Sequence, residues 1–143
     1  MIRRFLATAA IATIAAAAAA QGGKTETYNG LQMTIAGVSH DATASLRDCP
    51  PGTNTVHAET RPGETFALVT VAFKVPSGFK SEPMKRPTVT DAAGKTYHTS
   101  VQFVDVGSVP EYSCTFPFRV PSGTKLKSFA IETATFDLSG LDK

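Results

Sequence analysis

The sequence predicts an all-β fold, an antiparallel β-sandwich of about seven strands. Beyond residue 30, apolar and polar residues alternate with a period of two in several short segments. Breaks that contain Gly and Pro separate these segments at short intervals, and no segment after residue 20 sustains the 3.6-residue period of an amphipathic helix. Many short strands with frequent turn signals are typical of two packed sheets.

Two predicted strands are the clearest in the first half of the chain. Leu31, Met33 and Ile35 alternate with polar or small residues, which predicts a strand that ends near Val38. Residues 64–75 form the strongest strand and are apolar on both faces, so we expect this strand in the middle of a sheet.

The second half of the chain predicts a hairpin and two further strands. Residues 87–90 and 95–104 flank a four-residue link, 91–94, whose Asp and Gly are typical of turns. We expect the last two strands at 111–120 and 125–136, because a Pro-Ser-Gly sequence separates them.

Three of these motifs carry a resemblance to a known family. They are the valine-rich strand Leu-Val-Thr-Val-Ala-Phe at 68–73, the turn Thr-Asp-Ala-Ala-Gly-Lys-Thr-Tyr at 90–97 and the strand end Phe-Arg-Val-Pro-Ser-Gly at 118–123. Their order resembles the telokin-like, immunoglobulin-like domain of secreted bacterial proteins and lipoproteins of unknown function. The resemblance extends over residues 30–136 and implies an immunoglobulin-like sandwich, but it carries no catalytic positions.

The N-terminus predicts a cleavable secretory signal helix. Arg3 and Arg4 precede an apolar run, Phe5 to Ala20, that ends in small residues before Gln21. A retained membrane anchor is the alternative, but the run is shorter than the roughly 20 residues that a spanning helix needs. We therefore expect a periplasmic or secreted bacterial protein with no membrane anchor after cleavage, divided into a signal peptide at 1–20, a flexible segment at 21–30 and a sandwich domain at 31–143.

The charge balance argues against two classes of partner. Arg3 and Arg4 account for the whole net charge of +2, so the remaining chain is formally neutral. No basic stripe remains for nucleic acid, whose binding depends on clustered Lys and Arg. No polybasic or amphipathic helix is present to hold a membrane surface.

The two cysteines, Cys49 and Cys114, are expected to pair in an oxidising compartment. The bond would close a loop of roughly 65 residues and contribute about 4 kcal/mol by the chain-entropy estimate. Two separate thiols, one of them reactive, are the alternative.

A copper or zinc site is the alternative functional hypothesis. His57 and Glu59 are two residues apart, so on a strand they share a face, and His98 would have to supply a third ligand. This hypothesis makes the protein a periplasmic metal carrier. Ordinary surface histidines are the opposing interpretation, because no Met-rich or His-Met sequence accompanies them.

The sequence gives no signature of an enzyme. It contains no Gly-x-Ser-x-Gly motif, no glycine-rich phosphate loop and no paired carboxylates at a recognisable spacing. We therefore expect no catalytic residues and no cofactor.

Recognition remains as the favoured class of function, with a protein or cell-envelope ligand as the expected partner. Residues 39–63 are predicted to be a largely irregular loop with a short strand near 55–59, and Arg47, Asp48 and Asn54 are candidate contacts in it.

A second candidate contact surface lies in the charged, proline-bearing segment 79–86. Phe79 and Met84 are its apolar residues. The alternative interpretation is that these two side chains cover one end of the core.

Overall fold

The computed structural model describes residues 24–52, 55–102, 104–106 and 109–143. The predicted signal peptide and residues 21–23 lie outside them. All regular structure in the described residues is β, and it comprises twelve strands: β1 (Thr25–Tyr28), β2 (Leu31–Asp41), β3 (Thr43–Leu46), β4 (Val56–Glu59), β5 (Glu64–Lys74), β6 (Glu82–Pro83), β7 (Thr88–Asp91), β8 (Thr96–His98), β9 (Asp105–Val106), β10 (Glu111–Pro121), β11 (Leu126–Ile131) and β12 (Ala134–Asp137).

Eight of these strands form two four-stranded antiparallel sheets that pack face to face. The first sheet has the order β1-β2-β5-β10 and the second the order β12-β11-β7-β8. Phe116 and Phe118 of the first sheet contact Phe129 of the second, with ring centroids 5.8 and 6.2 Å apart. The predicted all-β antiparallel sandwich is confirmed, with eight strands in its two main sheets instead of about seven.

Strand β5 lies between β2 and β10, as its two apolar faces predict. Strand β2 is longer than predicted and continues past Val38 to Asp41, because its polar end pairs with the first half of β5. A β-bulge between Ile35 and Gly37 shifts the register within β2.

The predicted hairpin at 87–104 is confirmed in β7 and β8. Asp91 accepts hydrogen bonds from the backbone N–H groups of Ala93 and Lys95, at 2.9 Å each. Gly94 has a φ of +86°, a conformation that glycine adopts readily. Strand β8 ends at His98, well before the predicted limit at residue 104.

The single strand predicted at 125–136 is wrong, because the segment contains two strands, β11 and β12. The chain turns at Glu132, which adopts a φ of +49° without being glycine. The Glu132 carboxylate accepts a 2.6 Å hydrogen bond from the backbone N–H of Lys85, so the turn is attached to the segment between β6 and β7. No Gly or Pro marks this turn in the sequence.

Strand β1 lies inside the segment that the sequence predicts to be flexible. It pairs with β2 through a tight turn in which Asn29 and Gly30 both have positive φ, +49° and +85°. Asn-Gly is the sequence that favours this type of hairpin turn. The sandwich therefore begins by residue 25, six residues before the predicted boundary.

Candidate binding site at the β3–β4 hairpin

Strands β3 and β4 form a two-stranded ribbon that lies against the outer face of the first sheet, where β3 contacts β5 and β10. The predicted irregular loop 39–63 is thus partly regular, and the predicted strand near 55–59 is confirmed as β4. Ala44 points from the ribbon toward the molecule and is buried. Glu59 holds strand β4 in place, because its carbonyl oxygen accepts a 3.0 Å hydrogen bond from Arg119 Nη1 on β10.

Phe66 marks the place where the outer face of the sheet is covered. It lies on the opposite face of β5 from the core residues Val69 and Val71, yet it is fully buried. The Arg119 guanidinium lies over its ring, with 4.7 Å from Cζ to the centroid. The outer face of this sheet is therefore solvated along only part of its length.

A disulfide fixes the chain just beyond the ribbon. Cys49 pairs with Cys114 of β10, with a Cα–Cα distance of 5.8 Å, which confirms the predicted bond. The Cys49 carbonyl oxygen also accepts a 2.7 Å hydrogen bond from the Asp105 N–H. Both cysteines are buried, so this end of the loop is held by covalent and backbone bonds.

A cleft of about 480 Å³ lies between β3 and the outer face of the first sheet. We call it the hydroxyl cleft, because Thr43 and Ser45 on β3 and Ser113 and Thr115 on β10 are among the residues that line it. Of the β4 residues, only His57 lines it. Its remaining lining comprises Asp41, Ala44, Arg47, Asp48, Cys49, Pro51, Leu68, Cys114 and Phe116.

A second cleft, of about 430 Å³, lies where the end of the ribbon approaches residues 100–102. We call it the apolar cleft, because Leu46, Val56 and Val101 line it. Val56 is 62% exposed, so much of this aliphatic side chain is accessible to a partner. Its remaining lining comprises Arg47, Asp48, Ser100 and Gln102.

Two of the predicted contact residues, Arg47 and Asp48, line both clefts. Asn54, the third residue predicted in this loop, lies outside the described residues. The sequence predicted contacts in this loop because the loop is largely irregular and contains a cysteine that could fix it. The hydroxyl residues of β10 were missed, because polar side chains on an outer sheet face ordinarily signal only contact with water.

The second predicted contact surface requires a correction. Met84 is only 8% exposed and belongs to the hydrophobic core, and Phe79 is half-buried against the same core. Both side chains cover one end of the core, which was the alternative interpretation. The cause is the short pairing of β6 with β9, together with the hydrogen bond from Met84 N–H to the Val104 carbonyl.

The structure does not assemble the predicted metal ligands. His57 and Glu59 lie on β4 and His98 on β8, and these strands belong to different sheets. Among the described residues, no three His, Cys, Asp or Glu side chains are grouped so that they could hold a metal ion. His57 instead lies beside Ser45, whose Oγ is 3.5 Å from Nδ1, at the outer limit of a hydrogen bond.

Comparisons with known proteins inform the fold alone. The sequence matches no known protein family and no curated protein. The structure is similar to that of an uncharacterized β-sandwich protein from Clostridium difficile 630, with a TM-score of 0.52 and 8% sequence identity. The similarity covers 81% of this chain and 90% of the other. No helix long and apolar enough to cross a membrane occurs in the described part of the chain.

Proposed function

We propose that this chain is an exported, non-enzymatic interaction domain of the immunoglobulin-like, telokin-like type. It binds a protein or cell-envelope ligand at the β3–β4 ribbon. The observation that carries this proposal is the pair of adjacent clefts that share Arg47 and Asp48.

The composition of the two clefts supports binding. One is lined by hydroxyl and charged groups and the other by aliphatic groups, and ligand sites commonly combine an apolar surface with a few polar ones. Val56 stands exposed beside the apolar cleft, in the position of an anchor for a partner. The disulfide and the Asp105 N–H keep the adjoining chain in place, so little ordering is needed when a ligand binds.

The same surface gives little support for catalysis. Ser45 and His57 are the nearest approach to a nucleophile and a base in the hydroxyl cleft. Both are exposed, they face each other as a cross-strand pair, and no carboxylate among the described residues hydrogen-bonds the His57 ring. A catalytic histidine is ordinarily oriented by such a third group.

Export is supported by two features. The first is the predicted signal peptide, and the second is the single disulfide, since such bonds persist in oxidising compartments. We expect the protein purified from its native envelope fraction to have lost about 20 N-terminal residues and to contain no alkylatable thiol. An intact N-terminus or two free thiols, measured by intact mass before and after alkylation, would contradict export.

Capture from the solubilised envelope fraction tests the binding surface. We expect immobilised protein to retain a ligand that the variants Val56→Asp and Asp48→Lys lose, because the first places a charge in the apolar cleft and the second reverses a charge that both clefts share. Val109→Asp is the matched control, since Val109 is also an exposed valine, 39% accessible, but lines neither cleft. Equal capture by all four proteins would exclude this surface.

A further inference from the structure

We propose that the hydroxyl cleft binds an extended peptide, which adds as a third strand to the free edge of β3. This inference rests on the proposed function and deepens it, because it assigns the class of ligand and the mode of binding. Addition of a peptide strand to an exposed sheet edge is a recurrent form of recognition, in which backbone hydrogen bonds supply much of the affinity.

The backbone of β3 has the required orientation. The Thr60 N–H donates to the Ala42 carbonyl at 2.9 Å, so Ala42 directs its backbone groups toward the β4 side of the ribbon. Because successive residues of a strand point to opposite sides, Ala44 and Leu46 do the same. The backbone groups of Thr43 and Ser45 therefore point away from β4, toward the hydroxyl cleft.

Two observed bonds confirm this alternation. The Thr43 N–H, on the outward side of β3, is taken by Oδ1 of Asp41 at 3.0 Å. On the other strand the carbonyl of Glu59, the cross-strand partner of Thr43, points outward and accepts from Arg119. Ser45 therefore offers an outward N–H and C=O, and Thr43 an outward C=O, to a strand lying in the cleft.

The space beside β3 suits an added strand. The ribbon is the beginning of a third layer on the first sheet, and next to β3 the floor beneath this layer consists of Leu68, Ser113 and Thr115. These side chains are short or aliphatic, so they leave room for a strand about 4.8 Å from β3 and about 10 Å above the sheet. The hydroxyl groups of Ser113 and Thr115 beneath this strand favour a peptide whose inward side chains are small and polar.

The charges of the cleft select among peptides. The charged side chains that line the hydroxyl cleft are two carboxylates, Asp41 and Asp48, and one cation, Arg47. If His57 is left aside, the cleft therefore has a net charge of −1. A peptide with a lysine or arginine is therefore favoured over an acidic one. The ligand is thus an extended, weakly basic segment of another protein.

A library of linear twelve-residue peptides displayed on phage provides the probe. The best-selected peptide is synthesised, and its affinity for the mature protein is measured by fluorescence anisotropy. We expect Ser45→Pro to weaken binding at least about tenfold, because it removes the outward N–H and crowds the cleft. Proline is tolerated on an edge strand when the lost N–H faces away from the partner strand, so the ribbon is expected to persist.

Ser45→Ala is the comparison variant: it removes the hydroxyl but keeps the backbone donor, so it is expected to weaken binding less than Ser45→Pro does. A second measurement uses the wild-type protein with peptides N-methylated at one residue at a time. A strand added to an edge directs alternate N–H groups to its neighbour, so methylation is expected to abolish binding at every second position. If Ser45→Pro does not fold, this peptide series still tests whether the ligand binds as an added strand.

Three results would overturn the inference. One is a peptide whose affinity is unchanged by Ser45→Pro, and another is N-methylation that has no alternating effect. The third is a library that yields no binder while capture of an envelope ligand still depends on Val56 and Asp48, which leaves the proposed function standing with a ligand other than a peptide. Loss of that capture pattern as well would remove both proposals.

Discussion

His40 and Asp142 are joined side chain to side chain, with 2.6 Å between Nε2 of the histidine and Oδ1 of the aspartate. The other carboxylate oxygen of Asp142 accepts a 2.7 Å hydrogen bond from the backbone N–H of Leu126. His40 lies on β2 of the first sheet and Leu126 on β11 of the second. One buried carboxylate near the C-terminus therefore connects the two halves of the sandwich.

Replacement of this carboxylate is expected to be costly. Asp142→Ala leaves the Leu126 N–H unpaired at a buried position and removes the partner of His40, so we expect the free energy of unfolding to fall by about 3 kcal/mol. Guanidinium denaturation of the oxidised protein measures the change. Lys143→Ala, an exposed neighbour, is the control, and a loss below about 0.5 kcal/mol for Asp142→Ala would contradict the connecting role.

The disulfide is expected to contribute more than any single side chain. The bond between Cys49 and Cys114 closes a loop with a sequence separation of 65 residues, so the double variant Cys49→Ala, Cys114→Ala is expected to lose about 4 kcal/mol. Urea denaturation of this variant, compared with the oxidised wild type at the same pH, tests the value. A difference below about 1 kcal/mol would mean that the loop is already restricted in the unfolded chain.

Phe66 is expected to behave as a core residue although it lies on the outer face of its sheet. It is fully buried beneath Arg119, so Phe66→Ala is expected to destabilise the protein by about 3 kcal/mol. Thr70→Ala, on the same face of β5, is the control and is expected to cost less than about 1 kcal/mol. Equal effects of the two substitutions, measured by thermal denaturation, would show that the ribbon does not cover the sheet in solution.

The contrast between Phe66 and Thr70 illustrates what the sequence can predict. Strands β5 and β10 follow from local alternation, and the β7–β8 hairpin follows from the turn chemistry of Asp91 and Gly94. Each of these signals is contained within a few adjacent residues. Phe66 is covered by Arg119 of β10, which donates to the Glu59 carbonyl of the ribbon, and alternation gives no sign of this contact.

The elements that the sequence missed lack local signals for the same reason. Strand β3 has only four residues and one buried side chain, so its alternation is too short to recognise. The turn at Glu132 has neither Gly nor Pro, and it is held by the distant Lys85 N–H. Tertiary contacts stabilise both elements, and a single sequence does not display tertiary contacts.

The candidate site was predicted in part. Arg47 and Asp48 were identified because they adjoin Cys49, whose pairing fixes where their segment lies. The outward backbone of Ser45 was not foreseen, because strand pairing decides which N–H groups remain free. Met84 was wrongly predicted as a contact residue for a related reason. In the sequence, an apolar residue in a charged segment gives the same pattern whether its side chain faces a partner or the core.

The Asp91 carboxylate accepts three hydrogen bonds at the turn of the β7–β8 hairpin. One carboxylate oxygen accepts the backbone N–H groups of Ala93 and Lys95, and the other accepts the Tyr97 hydroxyl at 3.1 Å. The hydrogen bond from the Lys95 backbone is the main cause that holds the pKa of Asp91 below its ordinary value of 3.8, and burial of the carboxylate opposes it. The ionised form is therefore the one that stabilises the β7–β8 hairpin.

A pKa that is lower in the folded than in the unfolded protein implies a stabilisation that is complete above about pH 4 and is lost as the pH falls through the folded value. We therefore expect the difference in free energy of unfolding between the wild type and Asp91→Asn to be large at about pH 6 and to shrink on acidification to about pH 3. Urea denaturation at a series of pH values measures this difference. Glu26→Gln, which removes an exposed carboxylate from β1, is the control. Its difference from the wild type in free energy of unfolding is expected to change much less over the same pH range. A difference for Asp91→Asn that stays constant over this range would show that the carboxylate acts only through its shape and its neutral hydrogen bonds.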